Sequence, residues 1–146
     1  MKRLAALALL PIAFGCASTV QLTLMPRDSG KLYHGTADDG GPEGRIAITI
    51  DDKAYTGTWV EAAPARSTGT VTGGAWGGWG RRGWGLGTVS VDNPEGGLYK
   101  ALLTAPDGSG LRCDLRGGSG RGGGTCRDDK GREYDVQIRP AGKPAP

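Results

Sequence analysis

The chain is poor in the residues on which most enzymes and metal proteins rely. Of 146 residues, one is histidine (His34), one is phenylalanine (Phe14) and three are cysteine (Cys16, Cys113 and Cys126). Cys113 and Cys126 alone would leave a zinc centre two ligands short, and His34 is the only histidine, so metal binding is not expected. No apolar run approaches the roughly 20 residues of a membrane-spanning helix; the longest, at residues 4–14, has eleven. Downstream of it no segment repeats apolar residues at helical spacing.

The N-terminus has the layout of a bacterial export signal: Met1-Lys2-Arg3, the apolar run, then small residues around Cys16. Ala13-Phe14-Gly15-Cys16 resembles a lipobox, although leucine is usual where Ala13 stands and a smaller residue where Phe14 stands. Residues 1–15 are therefore expected to be a lipoprotein signal peptide, with Cys16 becoming the lipidated first residue. The alternative is ordinary cleavage after Ala17, which leaves a soluble periplasmic or secreted protein. Removing residues 1–15 takes away Lys2 and Arg3 and leaves sixteen basic against fifteen acidic residues. That balance gives no reason to expect a nucleic-acid partner.

Cys113 and Cys126 remain, an even pair in an oxidising compartment, and are expected to be bonded to each other. They should lie on adjacent antiparallel strands with Cα atoms about 4.4–6.8 Å apart. Apolar residues alternate with polar ones at Val20, Leu22 and Leu24, at Ile46, Ile48 and Ile50, at Leu111, Cys113 and Leu115, and at Tyr134, Val136 and Ile138. Period two marks strands with one buried face. Turn-forming clusters such as Asp51-Asp52-Lys53, Pro106-Asp107-Gly108-Ser109-Gly110 and Asp128-Asp129-Lys130-Gly131 separate the runs. The expectation is an all-β domain over residues 16–139, an antiparallel meander of about 8–10 short strands closed as a small barrel or folded as a sandwich. A glycine- and tryptophan-rich loop is expected at 73–87 and a disordered proline-rich tail at 140–146.

Catalytic motifs weigh little. Gly78-Trp-Gly80-Arg-Arg-Gly83 and Gly118-Ser-Gly120-Arg-Gly-Gly123 match the dinucleotide fingerprint, but neither stands between a strand and a helix, and 28 glycines make chance matches common. Ser119 misses the nucleophile-elbow pattern. His34, with Asp38, Asp39 and Glu43 nearby in sequence, reads as a structural or surface residue. The acidic cluster at 38–43 reads as a solvated turn, not a calcium site. No catalytic constellation emerges and no cofactor is expected.

Gly110-Leu-Arg-Cys113-Asp-Leu, Gly-Gly-Gly-Thr-Cys126 and Gly131-Arg-Glu-Tyr134-Asp-Val-Gln-Ile form a pattern, joined by Tyr33-His-Gly-Thr and Tyr55-Thr-Gly-Thr-Trp59-Val. With the lipobox-like signal, it resembles small uncharacterised lipoproteins of the proteobacterial envelope. The resemblance spans the mature domain and implies a location and a disulfide; it implies no activity. The expected place is the outer membrane, facing the periplasm, with the membrane as partner through the N-terminal lipid.

The remaining clue is AWGGWGRRGWGLG at 75–87, which holds Trp76, Trp79 and Trp84 around Arg81 and Arg82. Indole and guanidinium suit a membrane surface or an envelope glycan, so these five residues are candidate contacts. A capping segment and a passive loop are the plainer readings. The expected function is a non-enzymatic envelope lipoprotein, a structural or binding module for glycan or protein. The alternatives are an inhibitor or accessory factor of cell-wall hydrolases and a glycan or membrane-surface binder acting through the Trp/Arg loop.

Overall fold

The period-two runs become ten antiparallel strands: β1 (Ser18–Pro26), β2 (Tyr33–Asp39), β3 (Glu43–Ile50), β4 (Lys53–Ala63), β5 (Arg66–Trp76), β6 (Arg82–Asp92), β7 (Gly97–Thr104), β8 (Gly110–Gly118), β9 (Arg121–Asp128) and β10 (Glu133–Pro140). The structure, a computed structural model, describes residues 18–76 and 82–142, and the side chains of these except at 74–76 and 82–84. The signal peptide, Cys16, Trp79, Arg81 and residues 143–146 lie outside the described residues.

Eight strands close into a barrel in the order β1-β10-β9-β8-β7-β4-β3-β2, while β5 and β6 form a separate two-stranded ribbon. Closure rests on β1, which pairs with β2 along one edge and β10 along the other. The first and last strands thereby satisfy each other's backbone groups, and no barrel strand keeps an open edge. The alternating residues point inward as their period requires: Leu22, Leu24, Ile46, Ile48, Leu111, Leu115 and Val136 are all buried. Each contributes roughly 1.5–3 kcal/mol of apolar transfer.

Tight turns hold the meander in register. Asp51 and Asp52 take φ of 45° and 61°, and Ser119 and Gly120 take 53° and 72°. Positive φ at both central residues gives hairpin turns whose twist matches the flanking strands, and aspartate tolerates that conformation. Gly118-Ser-Gly120-Arg-Gly-Gly123 is thus a hairpin with strands on both sides, not a nucleotide loop. Cys113 and Cys126 stand directly opposite each other on β8 and β9 and are bonded. Their Cα separation of 4.0 Å falls below the expected interval and below the roughly 4.5 Å of the closer kind of directly opposed pair. The bond closes a short loop and contributes about 3 kcal/mol in the chain-entropy model.

Two expected boundaries move. The segment at 73–87 is not a loop along its whole length: β5 continues to Trp76 and β6 begins at Arg82, with Gly73 opposite Gly85, Gly74 opposite Trp84 and Trp76 opposite Arg82. Glycine does not stop a ladder, because the hydrogen bonds belong to the backbone and each strand supplies the other's partners. The strand at the C-terminus also runs through Pro140, which pairs with Val20, and Ala141 N–H donates to the Thr19 carbonyl at 3.1 Å.

The ribbon leaves the barrel where the β4–β7 register shifts between Glu61 and Ala63, an irregularity that bends the strand outward. Its base is fastened by an Arg66–Asp92 ion pair at 2.6 Å and by Asn93 N–H donating to the Ala65 carbonyl. Val71, Val89 and Val91 remain exposed on it.

Curvature demands glycine at inward positions. A Cβ on Gly57 would stand 1.9 Å from the Leu102 carbonyl oxygen, and one on Gly124 would stand 2.1 Å from that of Asp114. Backbone cannot yield as a side-chain tip can. We expect Gly57→Ala to lower stability by about 3 kcal/mol, as overpacking of a tight interior does. Gly69→Ala, on the ribbon with nothing within 4 Å, should stay within about 0.5 kcal/mol. Urea unfolding of the two variants checks this, and equal midpoints would contradict it.

Candidate functional site: an open barrel end with an apolar cavity

The two barrel ends differ. One gathers the β2–β3 and β8–β9 turns, the start of β1, the end of β10 and the exit of the ribbon. It opens onto a cavity of about 190 Å³. Val20, Leu22, Ala37, Ile46, Leu115 and Ile138 supply its aliphatic wall, and Trp59 and Tyr99 its aromatic wall. The space exists because the inward register here is thinly filled. Leu115 faces Gly124, Ile138 faces Gly122, and Trp59 faces Gly44 across the ladder.

Gly44 positions the indole. A Cβ there would lie 2.6 Å from Trp59 Nε1, so the ring lies flat along β3 only because that residue has no side chain. Packing holds the ring in place although Nε1 is buried without a hydrogen-bond partner, a loss of about 1–3 kcal/mol. Tyr99 meets Trp59 edge-on, with centroids 5.4 Å apart and planes at 85°. Together they form an aromatic corner. Burial pushes the Tyr99 phenol above its ordinary value, and the negative charges of Glu61 and Asp39 add to the effect.

Polar residues ring the mouth: Asp38, Asp39, Ser119 and Arg121. The Asp38 carboxylate accepts from Arg45 N–H at 3.2 Å. The Asp39 carbonyl accepts from the Ser18 hydroxyl at 2.8 Å, tying the start of β1 to the rim.

The opposite end is sealed. Tyr33, Tyr55 and Tyr134 are buried there, with Lys31 5.1 Å, Lys53 6.0 Å and Arg132 5.5 Å from the respective ring centres. Each cation is paired: Lys31 with Asp51 at 2.5 Å, Lys53 with Asp107 at 2.6 Å and Arg132 with Asp28 at 2.9 Å. The Tyr33 hydroxyl donates to Asp51 at 2.7 Å and that of Tyr134 to Asp128 at 3.2 Å. Three tyrosines thus plug the barrel, and the ion pairs cover the plug.

Of the residues singled out from sequence, Cys113 and Cys126 are brought together in the wall, just below Leu115. Cys16, Trp79 and Arg81 lie outside the described residues, and Trp76, Arg82 and Trp84 are described as backbone within the ribbon ladder. His34 sits exposed on the outer face of β2, beside Thr23 and Thr49 of the neighbouring strands. The mouth itself was missed. Asp39, Trp59 and Tyr99 stand far apart in sequence, and the available hint was Trp59 at an inward position of a strand in an aromatic-poor chain.

No protein-family model matches the chain, and no curated protein matches it. A search of solved structures finds a similarity to a redesigned β-barrel, mFAP1, bound to DFHBI, with 13% identity and a TM-score of 0.49 over 84% of this chain and 93% of that one.

The sealed end sets a dependence on pH. Hydrogen bonds from Arg132, Lys31 and Lys53 hold the Asp28, Asp51 and Asp107 carboxyls below the usual carboxylate range. In the unfolded chain such groups titrate near ~4. Their contribution is therefore complete above that pH and is lost as pH falls through the lower folded values. The Tyr134 phenol, pushed up to about 12 by burial and by the Asp128 carboxylate, behaves oppositely. Its contribution is complete below the unfolded value of ~10 and is lost between there and about 12. Thermal unfolding across pH should show a plateau between about 5 and 9 with declines on both sides. Asp107→Asn should flatten the acid decline, and an unchanged acid limb in that variant would remove Asp107 from the account.

Proposed function

We propose that the protein is a non-enzymatic binding module of the bacterial envelope, taking a small apolar molecule into the open barrel end. In this reading it is tethered through lipid on Cys16 to the outer membrane, facing the periplasm. The observation that carries the binding role is the asymmetry of the ends: one plugged by three tyrosines under ion pairs, the other opening onto an apolar cavity. An apolar cavity of about 150 Å³ suffices for benzene, whereas drug-sized ligands occupy about 300–1,000 Å³. A volume of about 190 Å³ therefore suits a molecule of about one ring.

Three features support the tether: the basic start, the short apolar core and the position of Cys16. Cys16 stands two residues before Ser18, whose hydroxyl is bonded at the rim. β1 thus begins at the open end of the barrel.

Toluene is the simplest probe. In methyl-resolved NMR it should saturate at one equivalent and move the resonances of Val20, Ala37, Ile46 and Leu115, and Ala37→Phe should abolish the response by filling the cavity. Val20→Phe serves if the first variant unfolds. Absence of any shift in the native protein would overturn the binding role.

The tether has its own measurement. Mass spectrometry of the N-terminal peptide from membranes should show a diacylglyceryl group on Cys16. An unmodified terminus at Ser18 would exclude the anchor and leave a soluble module.

A further inference from the structure

We infer that the mouth selects a small cationic amphiphile, a one-ring or similarly sized apolar body carrying a single ammonium group. This rests on the cavity reading above and adds the chemistry of the head group. Trp59 and Tyr99 meet at 85° and 5.4 Å, presenting two aromatic walls to one space. A ring face attracts a cation within about 6 Å, and aromatic corners of this kind hold ammonium groups. Carboxylates stand beside the corner. Glu61 is the ladder partner of Tyr99 across β4 and β7, and Asp38 and Asp39 end β2 at the same mouth.

Asp39 is the best placed of these. A side-chain carbon at Gly120 would lie 3.3 Å from Asp39 Oδ2 and 3.5 Å from a Val20 methyl carbon, so the carboxylate hangs over the apolar lip. An ammonium group there leaves its apolar body in the cavity. Asp38 already accepts from Arg45 N–H, which leaves it less to offer. Among the described residues that line the mouth, one cation, Arg121 beside the β8–β9 turn, stands against the two carboxylates of Asp38 and Asp39. The Tyr99 phenol, raised chiefly by burial, is raised further by the charges of Glu61 and Asp39.

The test compares three probes of one size on the native protein by calorimetry at neutral pH: benzylammonium, toluene and benzoate. Benzylammonium should bind about tenfold more tightly than toluene, and benzoate no more tightly than toluene. Raising the salt concentration should shrink the advantage, because the mouth is open to solvent. Asp39→Asn should bring the ratio of benzylammonium to toluene affinity close to one. Asp39 is exposed, and circular dichroism checks that the variant keeps the fold. Equal affinities for benzylammonium and toluene in the native protein would overturn the head-group inference while leaving the cavity reading intact. Preference for benzoate would overturn it in favour of Arg121. A native ratio retained in Asp39→Asn would remove Asp39 from the site. Binding of none of the three would sink both readings.

Discussion

Closing eight strands into a ring this small forces neighbouring backbones together at the inner wall, and side chains must be absent where they meet. Gly57 and Gly124 mark such places, each with a neighbouring carbonyl oxygen where a Cβ would stand. The same omission has a second effect. Gly44, Gly122 and Gly124 face Trp59, Ile138 and Leu115 across the ladder, so the layer nearest the mouth is thinly filled. The cavity is therefore a by-product of closure and not a separate device. Filling it from the glycine positions would break the curvature that makes the barrel.

Since glycine cannot fill the interior, cohesion comes from elsewhere. Toward the sealed end the inward positions are Leu24, Ile50, Leu103, Leu111 and the tyrosines, all buried. The disulfide ties β8 to β9 beneath the emptiest part of the wall, where Gly122 and Gly124 offer no side chains to pack. The sealed end places its charges outside the hydrophobic layer, with each cation above a ring and beside a carboxylate. Exposed ion pairs of this kind add little individually. Their value here is that three long side chains are held over the ring faces, which keeps water from the core.

Period-two alternation marked β1, β3, β8 and β10 most clearly, because a half-buried strand must alternate and few other segments do. Asp51-Asp52 and Asp107-Gly108-Ser109 identified their turns for similar local reasons. Barrel closure was not legible, since it depends on whether residue 20 meets residue 140, a pairing with no local signature. The segment at 73–87, the far part of the ribbon, was read as loop because its glycines were weighed for their freedom; the ladder weighs their hydrogen bonds. The site was hidden twice over. Trp59, Tyr99 and Asp39 come from three strands and converge only once the ring is closed, while the tryptophans clustered at 76–84 drew attention to the ribbon.

The ribbon and the mouth are nevertheless linked by construction. β4 carries Trp59 in the barrel wall and, four residues later, leaves the ring at Ala63 to become the ribbon; β7 returns with Gly97 and places Tyr99 two residues on. Both aromatic residues of the corner thus stand at the root of the same excursion. Force applied to the ribbon must act through Glu61–Ala63 and residues 93–97, next to Trp59 and Tyr99 and nowhere near the plugged end. The ribbon and the aromatic wall of the cavity therefore share these few residues. The Arg66–Asp92 pair joins the two ribbon strands where they leave the barrel, immediately beyond the aromatic corner.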